Sequence, residues 1–294
     1  ADHVADTVLV ARLLQLLSAQ LRRHAADLGS KVPVERVFPQ LVAYAFLWGF
    51  GGELRPAERA RFQASSRSYL KQLVPDLATS AGSVFDLHPD GRGGYRRWES
   101  QPLPSRAPHA PEAEALPPAA GQLDLLVPTA EVLALSYNIG LLVAQGGCVL
   151  LSGARGVGKS IQLLHALYRR KHEEKEPGSR FVGAATRARA GEGAAAALQS
   201  CVEGALEPKR KDLLCAPPTK CLLLLIDDLH LTTTSAAPRA TSDAAAAPGA
   251  AGGPTRSASA VELLRQLLDA GGLYDRQGHF FKRVQGLQLL SAAT

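Results

Sequence analysis

A glycine-rich stretch near the middle of the chain carries the residue types best suited to binding a phosphate. Residues 147–160 read Gly-Cys-Val-Leu-Leu-Ser-Gly-Ala-Arg-Gly-Val-Gly-Lys-Ser. The apolar run 148–151 is typical of a short buried strand, and apolar residues at helical spacing follow over 161–168. Between them, residues 153–160 fit the pattern G-x-x-x-x-G-K-[ST] of a P-loop, in the strand–loop–helix context that the motif requires. The alternative, a glycine-rich turn beside a lysine by chance, does not account for that context.

Each residue type in this loop has a chemical reason. Glycines let the backbone adopt unusual dihedral angles and approach a phosphate closely, and the loop N–H groups with the following helix N-terminus form an anion site. We expect Lys159 to contact the β- and γ-phosphates of ATP, and Ser160 to offer its hydroxyl to Mg²⁺. The predicted cofactors are therefore ATP or ADP with Mg²⁺. The loop residues predicted to bind the nucleotide are Gly153, Ala154, Arg155, Gly156, Val157, Gly158, Lys159, Ser160 and Ile161.

A second stretch supplies two carboxylates. Residues 221–230 read Cys-Leu-Leu-Leu-Leu-Ile-Asp-Asp-Leu-His, a buried-strand run of Walker B form. We expect Asp227 to hold Mg²⁺ through water and Asp228 to orient the attacking water, so that Asp228 and Lys159 are the predicted catalytic residues. A core strand ending in a solvated turn is the alternative, and its place about 65 residues after a P-loop favours the functional interpretation.

The composition indicates a globular chain without a membrane or nucleic acid partner. The 294 residues are 46% hydrophobic, and the net charge of +6 is scattered in short basic runs, which is typical of solvated faces. No apolar run reaches transmembrane length and no signal peptide opens the chain, and the cysteine pattern suits a reducing compartment. The four cysteines lack disulfide or zinc spacing. Because the chain contains no Met, we expect it to be processed or to be a piece of a longer protein.

The first third predicts a small all-helical domain, residues 1–101. Apolar spacing, Pro33 and Pro56 favour three helices, and turn residues between two short runs favour a β-hairpin. A Pro- and Ala-rich stretch, residues 102–122, is interpreted as a linker. The predicted helices are 2–28, 33–49 and 56–74, and the predicted hairpin strands are 83–88 and 95–98.

Over the remaining residues, 123–294, predicted strands alternate with predicted helices. This pattern indicates a P-loop domain of the α/β class, with a parallel sheet flanked by helices. Thr129 is the expected N-cap of the first helix. Residues 209–212 are interpreted as a basic turn, and residues 232–260 as a disordered, low-complexity insertion. Besides the strands named above, the predicted strands are 180–186 and 287–293, and the predicted helices are 130–144, 194–206 and 261–269.

Several of these stretches together resemble the dynein heavy chain family. The most specific is 261–276, Val-Glu-Leu-Leu-Arg-Gln-Leu-Leu-Asp-Ala-Gly-Gly-Leu-Tyr-Asp-Arg, and the P-loop and residues 127–129 and 226–229 agree with it. The runs 46–52 and 84–98 are similar to the end of the second AAA+ module of these heavy chains. The chain as a whole therefore resembles the end of the second module followed by a large part of the third module of an axonemal-type heavy chain.

The resemblance implies a ring ATPase, a minus-end-directed microtubule motor that drives ciliary movement, with the third module binding nucleotide and gating the cycle. It implies location in the cytoplasm, cytoskeleton and ciliary axoneme. The implied partners are the other AAA+ modules of the same chain, microtubules, and dynein intermediate and light chains. It also implies that Val127 and Pro128 lie against adenine.

The chain departs from the family pattern at the site. Asp228 stands where Glu is usual, which holds the water less well, and Ala154 and Arg155 replace Pro and Thr in a loop that works through its backbone. His230 replaces a usual Asn. Because the chain ends before the expected sensor residue and arginine, we expect a fragment that is weakly active or inactive when isolated. The alternatives are a non-hydrolysing P-loop scaffold and an independent P-loop kinase or signalling ATPase, for which we find no acceptor site or lid.

Overall fold

A computed structural model of the chain describes residues 2–25, 28, 32–79, 82–98, 127, 129–173, 181–188, 193–233 and 260–294. The predicted linker, residues 102–122, and residues 234–259 of the predicted insertion lie outside this part. The chain forms two compact units, Ala1–Glu112 with Asp124–Gly147 and Ala113–Leu123 with Cys148–Thr294, here called the helical unit and the P-loop unit.

The helical unit contains the three long helices that the sequence predicts, and two more. The sequence groups helix α5 with the P-loop domain, and that domain boundary stays a prediction; in the structure α5 contacts α1 and clusters with the helical unit. Thr129 caps α5 as predicted, because its Oγ1 accepts a hydrogen bond from the N–H of Val132 at 3.4 Å. The helices are α1 (Asp2–His24), α2 (Val34–Gly51), α3 (Pro56–Leu73), α4 (Pro75–Thr79) and α5 (Ala130–Ala144).

The predicted hairpin is present but shorter than expected. Strands β1 (Leu87–Pro89) and β2 (Tyr95–Arg97) pair in antiparallel register. The prediction of a strand over 83–86 is wrong, because Val84–Asp86 form one turn of 3₁₀ helix. The Ser83 hydroxyl accepts a hydrogen bond from the Phe85 N–H at 3.2 Å, and such short polar side chains favour turns over extended backbone.

The core of the helical unit is aromatic around Trp98. This side chain is 1% exposed, and its indole N–H donates to the carbonyl of Phe85 at 3.0 Å. The His88 ring stacks on Trp98 with 4.4 Å between ring centroids. Burial lowers the pKa of His88 below its ordinary value, because desolvation penalises the charged imidazole.

The P-loop unit contains the predicted parallel sheet. Its four strands run in the order β3-β10-β7-β4, and all three neighbouring pairs are parallel. β7 is an almost fully buried apolar run, as expected of a strand covered on both faces. The strands are β3 (Val149–Ser152), β4 (Phe181–Arg187), β7 (Cys221–Asp227) and β10 (Leu287–Ala293), and the helices are α6 (Lys159–Glu173), α7 (Ala194–Ala205) and α8 (Ala260–Arg265).

A second sheet in this unit was not predicted. Its order is β5-β6-β9-β8, from β5 (Glu207–Arg210), β6 (Leu213–Cys215), β8 (Gly272–Tyr274) and β9 (Phe281–Gln285). The prediction of a turn over 209–212 is therefore wrong for its first two residues, which belong to β5. The strands are short and partly polar, and β6 pairs with β9 about seventy residues away, so no local pattern reveals them.

The predicted helix over 261–269 is present with a change of winding. α8 continues into a π-helical turn, Gln266–Ala270. Gly271 then ends it with φ of 64°, a left-handed conformation that glycine adopts readily and that commonly terminates helices.

Candidate functional site

The P-loop lies at the carboxyl end of β3 and leads directly into α6, which begins at Lys159. Gly156 and Gly158 have φ of 78° and 84°. A Cβ added to either glycine would meet no atom within 4 Å, so the left-handed backbone and not a lack of space requires glycine here. The loop therefore has the conformation that the sequence motif predicts.

The sheet register brings the second carboxylate-bearing stretch to the same edge. On β10, Ser291 lies opposite Leu150 of β3 and opposite Ile226 of β7. Because the three strands are parallel, the loop after β3 and the residues after β7 open at one edge of the sheet. The carboxyl edge is where open α/β sheets bind their ligands.

The Ser160 hydroxyl donates a hydrogen bond to the Asp227 carboxylate, with 2.7 Å between Oγ and Oδ1. The two residues are 67 positions apart in the chain. The same Oδ1 also accepts a hydrogen bond from the N–H of Asp228 at 3.0 Å. A hydroxyl and a carboxylate are the hard oxygen donors that Mg²⁺ prefers, so the residues present fit the predicted metal.

The Lys159 ammonium lies against its own loop. Nζ donates hydrogen bonds to the carbonyl oxygens of Gly153, at 2.9 Å, and Ala154, at 2.6 Å. Its side chain is therefore folded over the mouth of the loop, at the position from which it can reach an anion bound there.

Asp228 has an unusual backbone and a charged neighbour. Its φ is 55°, a left-handed conformation that is uncommon for residues other than glycine, although Asp adopts it more readily than most. Its Oδ2 lies 3.6 Å from Nε of Arg187, the last residue of β4. Arg187 was not singled out from the sequence, although its place directly after a predicted parallel strand was a usable signal.

Residues of the P-loop, the start of α6 and the ends of β7 and β10 line an open cleft of about 470 Å³, a volume typical of small-molecule sites. Gly153, Ala154 and Val157 lie in the loop outside this lining. The predicted residues that line the cleft are Arg155, Gly156, Gly158, Lys159, Ser160, Ile161, Asp227 and Asp228. Those that were not predicted as site residues are His230, Leu231, Ala292, Ala293 and Thr294, which follow β7 or end β10.

The predicted adenine contact stays a prediction. Val127 belongs to the helical unit and its side chain is 68% exposed, and Pro128 lies outside the described residues.

Other candidate chemistry is limited within the described part of the chain. There, no three His, Cys, Asp or Glu side chains are grouped as metal ligands. The four cysteines are free thiols, of which Cys215 is buried and Cys148 is exposed. No described helix combines the length and apolar character that crossing a bilayer takes. A second cleft, of about 530 Å³, lies in the helical unit around Trp48 and Arg59, and its lining includes the carboxylates Asp86 and Glu131.

Comparisons with known proteins agree with this geometry. Residues 3–100 match the family described as the dynein heavy chain AAA lid domain, and residues 115–237 match the P-loop containing dynein motor region. Over most of its length the chain is therefore similar to dynein heavy chains. It is 26% identical over 253 residues to "Dynein axonemal heavy chain 6" of Homo sapiens, an alignment that covers 86% of this chain and 5% of that protein.

The resemblance to dynein heavy chains and the P-loop α/β fold class inferred from the sequence are thereby confirmed, whereas the assignment to the second and third modules stays a prediction. The lid match falls on the helical unit up to β2, and the motor-region match contains the P-loop and the Asp227–Asp228 pair. Strands β8 to β10, which complete both sheets, lie beyond the matched residues. The chain spans 5% of the length of this relative.

Proposed function

We propose that this segment binds ATP or ADP together with Mg²⁺, as an AAA+ module of an axonemal dynein heavy chain. The observation that carries the proposal is the hydrogen bond between Ser160 and Asp227, which joins the P-loop to the second motif at the carboxyl edge of the sheet. A P-loop pattern alone predicts a phosphate site, whereas this contact supports the proposal because it brings the proposed ligands of the phosphate and of the metal together.

The residues divide the work as follows. The loop N–H groups and the N-terminus of α6 bind the phosphates, and Lys159 exchanges its loop carbonyl partners for phosphate oxygens. Ser160 and Asp227 would hold Mg²⁺, which when bound neutralises phosphate charge. Val127 and Pro128 contact adenine in this proposal.

Asp228 orients the attacking water if the module hydrolyses ATP. Two features weaken this role: the side chain is one methylene shorter than the usual Glu, and Oδ2 faces Arg187. A misplacement of about 1 Å can cost roughly 100-fold in rate. The same two features favour a second candidate, a module that binds nucleotide or acts as a scaffold without hydrolysing. We therefore propose slow hydrolysis at most for this chain alone, and hydrolysis in the complete ring.

The succession of matches supports a place in the ring. A lid domain followed by a P-loop region describes the end of one module and the start of the next, and we assign these to the second and third modules. In this proposal the third module gates the cycle of a minus-end-directed microtubule motor in the ciliary axoneme. Its partners are the other AAA+ modules, microtubules, and the intermediate and light chains.

Calorimetric titration of the 294-residue chain with ATP and ADP, with and without Mg²⁺, tests the proposal. We expect micromolar, Mg²⁺-sensitive binding by the parent and a loss of at least about 30-fold in Lys159→Ala, since charge-assisted hydrogen bonds contribute about 1.5–3 kcal/mol each. Lys209→Ala, which changes an exposed lysine of β5, is the matched control. A folded parent that binds neither nucleotide would refute the proposal, and phosphate release measured on the same samples separates hydrolysis from binding.

A further inference from the structure

The side chains that line the cleft carry four full charges, and three of them already have partners. The cations are Arg155 and Lys159, and the anions are Asp227 and Asp228. Lys159 donates to two loop carbonyls. Asp227 accepts a hydrogen bond from Ser160. Asp228 forms an ion pair with Arg187, a residue that does not line the cleft.

Arg155 differs from the other three. It is exposed, it lines the cleft, and its guanidinium makes no hydrogen bond or ion pair with any residue that the structure describes. The roles derived above use only the backbone of Arg155, so its side chain has no assigned task.

The chemistry of the guanidinium identifies what it can bind. It is planar, permanently charged and presents five N–H donors in a fork that matches two oxygens of one phosphate. The cleft that it lines is the one proposed to hold the phosphate chain, and it shares that cleft with Asp227 and Asp228, the residues proposed for the metal and the attacking water. Those two roles belong beside the terminal phosphate of ATP.

We propose, on the basis of the function proposed above, that the Arg155 side chain binds the terminal phosphate of a nucleoside triphosphate and makes this site prefer ATP to ADP. The added negative charge of ATP relative to ADP falls on that phosphate, so a cation beside it discriminates between the two nucleotides. A cation that contacted only the phosphates shared by ATP and ADP would strengthen the binding of both equally.

The expected size of the effect is moderate because Arg155 is exposed. Solvent screening reduces the strength of an exposed ion pair, and salt reduces it further. We therefore expect about a tenfold contribution to ATP affinity at low ionic strength, and less than about threefold to ADP affinity, with the difference shrinking as salt is added.

The experiment compares Mg²⁺-dependent ATP and ADP dissociation constants of the 294-residue chain in the parent, Arg155→Ala and Arg155→Lys. Arg210→Ala removes an exposed arginine of β5 as the matched control, and thermal melting checks that every variant is folded. The expected result is a selective loss of ATP affinity in Arg155→Ala, partial recovery in Arg155→Lys and no change in Arg210→Ala.

Two results would overturn the inference while leaving the proposed function intact. One is an equal loss for ATP and ADP, and the other is no loss in Arg155→Ala although Lys159→Ala weakens both nucleotides. If the folded parent binds neither nucleotide, both the proposed function and this inference fail.

Discussion

Removal of the Ser160 hydroxyl tests the contact on which the site depends. Ser160→Ala deletes a hydrogen bond of 2.7 Å to the Asp227 carboxylate. Hydrogen bonds to charged groups contribute about 1.5–3 kcal/mol, and because both residues are half-buried we expect a loss near 1.5 kcal/mol in the stability of the P-loop unit. For a unit of this size, such a loss lowers the melting temperature by roughly 3–6 °C.

A double-mutant cycle isolates this contact. Ser160→Ala, Asp227→Asn and the double variant are compared by urea unfolding, and we expect a coupling energy of about 1 kcal/mol between the two positions. Ser152→Ala is the matched control, because Ser152 is exposed and its hydroxyl bonds to no residue that the structure describes. That variant should stay within about 0.5 kcal/mol of the parent.

The same variants test the metal role by titration with nucleotide. Ser160→Ala should retain binding without Mg²⁺ and lose most of the strengthening that Mg²⁺ brings. A coupling energy indistinguishable from zero would mean that the contact does not stabilise the folded site. Full retention of the Mg²⁺ effect in Ser160→Ala would show that the hydroxyl does not serve the metal.

Further predictions concern the core, the loop and the acid stability of the P-loop unit. Trp98→Phe removes a buried indole that donates a hydrogen bond to a backbone carbonyl, and should destabilise the helical unit by about 2–3 kcal/mol. Urea unfolding followed by the fluorescence of the remaining tryptophan measures this loss, and a change below about 0.5 kcal/mol would contradict the prediction. Gly158→Ala places a Cβ on a residue with φ of 84° and should lower the free energy of unfolding by about 1–2 kcal/mol. Gly204→Ala, inside α7, is the control and should be neutral or stabilising. Equal effects of the two substitutions would count against a backbone origin. The ion pair with Lys282, with backbone N–H donors, lowers the pKa of Asp275 to about 2. Its contribution to stability is therefore complete above about pH 4 and lost as pH falls towards 2, so the melting temperatures of the parent and Asp275→Asn should differ at pH 7 and converge at pH 2; a difference independent of pH would exclude this linkage.

Features specified by neighbouring residues were predictable. The P-loop was predictable because its glycines, lysine and serine are contiguous, and each responds to backbone requirements within one turn. The long helices were predictable for the same reason, since apolar spacing and the prolines at the starts of α2 and α3 act locally. Thr129 was predictable as an N-cap because its hydroxyl bonds three residues ahead.

Features specified by distant residues were not predictable. The second sheet depends on pairing between β6 and β9, and neither strand has a distinctive pattern of its own. The sequence predicts a strand over residues 83–86 because turn residues separate this short run from the next one, whereas the local hydrogen bond that the Ser83 hydroxyl accepts from the Phe85 N–H favours a 3₁₀ turn. Arg187 meets Asp228 only because β4 pairs with β7.

The sequence by itself determined the phosphate loop, the two carboxylates, the parallel α/β class and the resemblance to dynein heavy chains. These follow from residue types at short spacing, for which local backbone geometry is sufficient. Only the tertiary structure decided that Ser160 meets Asp227, that Asp228 turns towards Arg187, and that Arg155 faces the cleft without a partner among the described residues. Those relations depend on the order and register of the parallel strands, which non-local packing sets and which no stretch of the sequence encodes alone.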